Sequence, residues 1–148
     1  MVATRRPCRF SATLRTRARF PSVSAEDGHY ESFYLKASDP HGGRAVWIRH
    51  TVHKRPGAEP TCAVWMPWFD DQAGPPRAAK RQFGAAELST PDGAYLRVDG
   101  SEIGPGWVRG SVAGEGTAAS WGLRFTDRHE TLRHLPAEWM YEGRLPRT

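Results

Sequence analysis

Beyond residue 28 the chain alternates hydrophobic and polar residues in short runs, which clusters of Gly, Pro and Asp separate. A period of two places successive side chains on opposite faces of a β-strand. Short strands at such spacings are typical of all-β sandwiches and barrels. The pattern predicts seven strands, at residues 30–37, 44–54, 61–69, 80–88, 94–98, 107–112 and 117–126.

Two of these strands carry features that bear on their place in a sheet. Pro67 lies inside the third run. Because proline has no N–H to donate to a ladder, it predicts an edge position or a bulge. The last run predicts a stripe that faces the core, made of Ala119, Trp121, Leu123 and Phe125.

Length and composition fit one soluble globular domain. The chain has 148 residues, 39% hydrophobic and 25% charged. No apolar run approaches the roughly 20 residues of a spanning helix, so no integral membrane segment is predicted. We expect a cytoplasmic protein by default.

The formal net charge of +5 is concentrated at one end of the chain. Residues 1–25 contain six arginines and no acidic residue, so the rest is close to neutral. A near-neutral body argues against a basic face and predicts no nucleic-acid partner. We interpret residues 1–15 as a disordered basic leader and residues 16–148 as the β domain. Nucleic-acid binding through the arginines of the leader is a weaker alternative.

The two cysteines do not make a disulfide framework. Cys8 lies in the leader, and Cys62 alternates with Val64 and Met66 on a predicted strand. Cys62 is therefore predicted to be a small buried hydrophobic residue rather than a reactive thiol.

His50 and His53 have a spacing that raises the question of a metal site. On a strand, residues three apart point to opposite faces, so the pair cannot chelate one ion without a bulge. We therefore predict no metal site and no cofactor. His50 alternates with Val46, Ile48 and Val52, which predicts a hydrogen-bonded core histidine.

The opposite face of the same strand carries Trp47, Arg49, Thr51 and His53. Such an amphipathic row either lines a cavity or groove or forms a solvent-facing surface with one shielding Trp. The six Trp residues suit a long apolar ligand, and they suit a sandwich core almost as well. The predicted ligand contacts are Trp47, Arg49, His53, Trp65 and Trp121.

No standard catalytic signature is present in the sequence. The chain contains no G-x-S-x-G elbow, no Walker loop and no HExxH motif. Its Gly-rich triplets lack the strand–helix context of a dinucleotide site. No catalytic residue is therefore assigned.

Several separated blocks carry a family resemblance. "GHYESFYLKASDPHGGRAVWIRHTVHKRPGAEPT", "GPGWVRGSV", "ASWGLRF" and "RHLPAEWMYEGRLPRT" occur in this order. The chain, from about residue 15 onward, resembles actinobacterial members of the carotenoid 1,2-hydratase (hydroxyneurosporene synthase) family and its lipocalin-like relatives.

The resemblance implies a lipocalin-like architecture of two β-barrel-like halves around an apolar cavity. Characterised members of the family add water across a terminal double bond of a linear polyisoprenoid. Family chains are about twice as long, and their catalytic residues belong to the second half. The resemblance therefore implies an N-terminal half, part of a truncated or longer family chain, with no catalytic residue to carry over.

We expect an antiparallel, lipocalin-like β-barrel or sandwich half that binds an apolar, isoprenoid- or lipid-like molecule. Hydro-lyase activity is not expected of the isolated chain. The alternative is a structural or interaction domain without a small-molecule ligand, which self-associates through an exposed sheet edge.

Overall fold

Nine β-strands form the fold in the computed structural model, which describes residues 17–126. The predicted leader, residues 127–148 and Cys8 lie outside the described residues. The elements are β1 (His29–Asp39), β2 (Arg44–Lys54), β3 (Thr61–Asp70), β4 (Arg77–Gly84), β5 (Leu88–Ser89), β6 (Leu96–Val98), β7 (Ser101–Gly104), β8 (Trp107–Gly114) and β9 (Thr117–Arg124), with 3-10 helices at Phe20–Ser22 and Ala85–Glu87.

The strands form two antiparallel sheets. Sheet A has the order β1-β2-β3-β4, and sheet B has the order β5-β6-β7-β8-β9. The all-β prediction is confirmed. Within residues 17–126 no ladder joins the sheets, so the barrel alternative is wrong for this part of the chain and the arrangement is an open sandwich. No helix of residues 17–126 is long and apolar enough to cross a membrane.

Turn chemistry explains how consecutive strands pair. The β8–β9 hairpin closes through Glu115 and Gly116, whose φ angles are 54° and 75°. Two positive φ angles in a two-residue loop match the right-handed twist of the flanking strands. The residues on either side of this loop, Gly114 and Thr117, form the first pair of the ladder.

The hydrophobic core lies between the two sheets. One face of sheet A and one face of sheet B supply the alternating buried residues that the pattern predicts. Fully burying a side chain of this size contributes roughly 1.5–3 kcal/mol. The core includes Ile48, Val52, Cys62, Val64, Met66 and Ala79 from sheet A, and Leu96, Val98, Ile103, Val108 and Val112 from sheet B.

Pro67 does not lie where its chemistry predicts. β3 is hydrogen-bonded to β2 on one side and to β4 on the other, so it is an internal strand. The ladder to β2 skips the positions opposite Pro67 and Met66 and resumes in the same register. The predicted edge position or bulge is therefore wrong, because the sheet accommodates Pro67 by an interrupted ladder.

Other differences concern strand ends. The strand predicted at residues 80–88 begins at Arg77 and ends at Gly84. β7 lies in a segment where no strand was predicted, because its four residues stand between two turns. In the predicted core stripe of β9, alternate residues are partly buried, but Phe125 follows the strand and is 38% exposed.

Candidate functional site

An apolar cavity of about 480 Å³ lies between the two sheets beside β9. This volume falls within the usual range for small-molecule sites. Most of the cavity wall is aliphatic, aromatic or small. The lining residues are Val46, Ile48, Met66, Trp68 and Arg77 from sheet A and residues 117–123 from sheet B.

The cavity lining also includes polar residues, namely Arg77, Thr117, Ser120 and the indole of Trp121. Arg77, opposite Trp68 in the β3–β4 ladder, has an exposed side chain with no ion pair or hydrogen bond within residues 17–126. The indole Nε1 of Trp121 is buried and has no hydrogen-bond partner in the same part of the chain. The Trp121 N–H is closed off from the cavity, but a cation accompanies the apolar wall, which suits an apolar molecule with an anionic group.

Only one predicted ligand contact, Trp121, lines this cavity. Trp47, Arg49, His53 and Trp65 lie on the outer face of sheet A, opposite the core residues that alternate with them. The predicted row on β2 is therefore a surface row in the sandwich and does not line the cavity. A ligand contact at these four residues stays a prediction.

Arg49 is held firmly on this outer face. Its Nε donates to Ser32 Oγ at 2.9 Å, and its Nη2 donates to Tyr30 Oη at 2.5 Å. The guanidinium carbon lies 5.5 Å from the centroid of the Trp47 ring. The Tyr30 ring makes an edge contact with His53. Cross-strand contacts thus fix the side chains that face away from the core.

Lysines cover the two tryptophan rings of the outer face. Lys36 Nζ lies 4.7 Å from the centroid of the Trp47 ring, and Lys80 Nζ lies 4.0 Å from that of Trp65. Both distances are within the range of cation–π attraction. The outer face therefore carries cations directly over its tryptophan rings.

His50 lies on the opposite face of β2 and is fully buried between the sheets. Its Nε2 is 2.7 Å from Ser101 Oγ in sheet B. Burial lowers the pKa of His50 from 6.5 to about 4. The prediction of a hydrogen-bonded core histidine, on the face opposite His53, is confirmed.

The two ring nitrogens of His50 differ in their hydrogen bonding. Nε2 shares a hydrogen bond with Ser101 Oγ, which also lies 3.5 Å from the Arg109 carbonyl oxygen. Nδ1 is buried without a partner among residues 17–126. Protonation would place an unpaired N–H there in an apolar core, which explains the direction of the pKa shift.

A buried ion-pair cluster on sheet B was missed by the sequence interpretation. Glu102 is buried, and Arg97 and Arg109 donate to its two carboxylate oxygens, Arg109 Nε at 2.8 Å. Burial raises the pKa of Glu102, but these hydrogen bonds outweigh it and hold that pKa below its usual value. The sequence feature that could have revealed the cluster is the pair of tight turns at residues 99–100 and 105–106. These turns place the three side chains opposite one another on neighbouring strands.

Cys62 is buried, as predicted. Burial, and to a smaller extent the charges of Glu87 and Asp99, raise the pKa of its thiol to about 11. The thiol is therefore protonated at neutral pH and is a poor nucleophile. Within residues 17–126 no group of three or more His, Cys, Asp or Glu residues is placed to hold a metal ion.

The geometry defines an all-β sandwich with an apolar cavity at one side. Comparison of the chain with protein-family models, curated proteins and solved structures finds no match. The resemblance to carotenoid hydratases stays a prediction, and the function is argued from the cavity.

Proposed function

We propose that the β domain binds an apolar, lipid- or isoprenoid-like molecule in the cavity between its sheets. The observation that carries the proposal is the 480 Å³ apolar volume with Arg77 among its lining residues. Arg77 favours a ligand with an anionic head group, such as a long-chain carboxylic acid.

Binding without catalysis fits the residues around the cavity. Acid-catalysed hydration of an alkene needs a carboxylic acid to protonate the double bond. None of the described lining residues carries a carboxyl or an imidazole group. The proposal therefore concerns binding, and no chemical step is assigned to these residues.

Fluorescence titration of the full chain with saturated fatty acids tests the proposal. Trp121 and Trp68 line the cavity, so a bound chain should shift their emission to the blue or quench it. Each added CH₂ contributes roughly 0.8 kcal/mol until the cavity is full, so two added CH₂ groups should strengthen binding about tenfold. No spectral change at saturating ligand would refute the proposal.

A pair of variants separates the contribution of the ligand's charged head group to affinity from that of its hydrocarbon tail. Arg77→Gln should weaken laurate binding and leave dodecanol binding unchanged, because only laurate carries a charge for Arg77 to meet. Arg124→Gln removes an exposed arginine of β9 outside the cavity and serves as the matched control. Equal losses for the acid and the alcohol would contradict a charge-based role for Arg77.

Self-association is a second candidate, and one observation favours it. β1 has eleven residues and pairs only with β2, so its other edge carries backbone groups without a ladder partner in the described sheet. Long edge strands are templates for pairing with another chain. Size-exclusion chromatography with light scattering tests this, and a monomer at all concentrations would exclude it.

A further inference from the structure

The outer face of sheet A has an unusual composition. Alternation along β1 to β4 assigns nineteen residues to this face, and none of them is acidic. The aromatic rings of the face are Tyr30, Tyr34, Trp47, Trp65 and Phe69, and its cations are Lys36, Arg49 and Lys80.

Several of these rings are accessible. Tyr30 is 55% exposed, Tyr34 57% and Phe69 41%. Lys36 lies over the Trp47 ring, with its Nζ 5.9 Å from the centroid of Tyr34. A ligand with a flat aromatic ring and an anionic group can therefore stack its ring on a tyrosine and bind its anion to the neighbouring lysine.

The charge of this face differs from that of residues 26–148 as a whole, which are close to neutral. The acidic residues of the four strands, Glu31, Asp39 and Asp70, have the alternation of the opposite face. Three cations therefore stand together without a neutralising carboxylate on the same face. The prediction of no nucleic-acid partner rested on the near-neutral net charge of the chain body. A net charge does not show that acidic and basic residues lie on different faces of a sheet.

We propose that the outer face of sheet A binds single-stranded nucleic acid. Unpaired bases have π-faces that stack on Tyr, Trp and Phe, and the phosphates between them are attracted to Lys and Arg. Each component of the face meets one component of the ligand. An acidic peptide would use the cations and leave the rings unmatched. An anionic membrane surface also attracts Tyr, Trp and Lys, so vesicle binding is an outcome of the test.

The test is fluorescence anisotropy of the full chain with fluorescein-labelled oligothymidine and oligouridine. A length of about 12 nucleotides lies within the site sizes of sheet-based single-strand binders. At physiological salt we expect dissociation constants of about 10⁻⁶ to 10⁻⁴ M, the range of non-specific binding, and tighter binding at low salt. Failure of both probes to bind would overturn the proposal and leave the cavity proposal untouched, since the two surfaces are opposite faces of sheet A.

Ring variants test stacking. Tyr34→Ala should weaken binding about tenfold, and Tyr34→Phe, which keeps the ring, should bind like the unaltered chain. Phe125→Ala removes an exposed ring beyond β9 and should leave affinity unchanged. If Tyr34→Ala binds as tightly as the unaltered chain, the arginines of residues 1–19 are the binding element and the proposal is wrong.

Charge variants test the phosphate contacts. Lys36→Gln and Lys80→Gln should each reduce the slope of log K against log salt by about 0.7, and Arg124→Gln on sheet B should not change it. Heparin and anionic phospholipid vesicles are the competing polyanions. Displacement of the oligonucleotide by heparin at equal charge, with no effect of Tyr34→Ala, would show simple charge attraction and overturn the proposal.

Discussion

His50 makes the stability of the domain depend on pH. Its folded pKa of about 4 lies below the unfolded value of 6.5, so acid protonates the unfolded chain first. The stabilisation is complete above pH 6.5 and is lost as pH falls towards 4. The whole loss is about 3 kcal/mol, of which about 2 kcal/mol falls between pH 7 and pH 5. Urea unfolding at these two pH values measures it.

His50→Gln is the control for this pH dependence. Glutamine keeps a donor for Ser101 and does not titrate, so most of the difference between pH 7 and pH 5 should disappear. His53→Gln, on the exposed side of the same strand, should leave it in place. An unchanged pH dependence in His50→Gln would show that another group is responsible.

Glu102 should stabilise the domain at neutral pH through its two arginines. Glu102→Gln should lower the free energy of unfolding by about 1–2 kcal/mol, a modest value because both arginines are largely solvated. Since the folded pKa lies below the usual carboxyl value, the stabilisation is lost as pH falls through that folded pKa. Urea titrations at pH 7 and at acidic pH should show the difference from the unaltered chain shrinking, whereas the exposed-loop variant Glu59→Gln should show no difference at pH 7.

The contrast between His50 and Glu102 shows what the sequence reveals at the scale of a residue. His50 alternates with Val46, Ile48 and Val52, so its burial could be predicted from one strand. Burial of Glu102 depends on two tight turns that bring arginines from two other strands beside it. Local alternation does not contain that information.

At the scale of an element, Gly110 and Gly114 are positions in β8 where a side chain would not fit, and Gly110 gives the clearer test. Its φ angle is 148°, and a Cβ would lie 2.6 Å from Ser101 Cα. Gly110→Ala should cost about 1–3 kcal/mol in the free energy of unfolding, because neither backbone can easily move. Gly122→Ala in the adjacent β9, where a Cβ meets nothing within 4 Å, is the control for the same urea titration. Equal stability of the two variants would contradict this close packing.

The long strands were more predictable than the features within them. β1, β2 and β8 have clear alternation over eight or more residues, and their existence followed from the pattern. Pro67 misled because its missing N–H is compatible with an internal strand when the ladder is locally interrupted. β7 escaped prediction because four residues between turns are too few to show a period.

At the scale of the whole molecule, the two sheets share one core and should unfold together. Ile48→Ala in sheet A and Leu96→Ala in sheet B each empty a fully buried position and should cost about 2–5 kcal/mol. Far-UV circular dichroism and tryptophan fluorescence should report the same midpoint in urea for both variants. Separate transitions in Leu96→Ala would show that sheet A folds without sheet B.

The location of the candidate sites could not be predicted from the sequence. The ligand contacts predicted on β2 and β3 do share one face of sheet A, as their alternation indicated. Alternation does not say, however, which face of sheet A packs against sheet B. That depends on how the strands of both sheets pair and pack, which is non-local information. Arg77 was overlooked because it stands next to a Pro/Gly-rich loop, and its place at the cavity depends on the pairing of β4 with β3.

The bond between His50 and Ser101 has a consequence for folding kinetics. It joins the two sheets across 51 residues of chain, so it can form only when they meet. If the sheets dock before the rate-limiting barrier, acid should slow refolding, because His50 must lose its proton to reach the transition state. If they dock afterwards, acid should speed unfolding, because His50 can already be protonated in the transition state. Refolding and unfolding rates at two pH values, compared with those of His50→Gln, would therefore time the docking of the sheets.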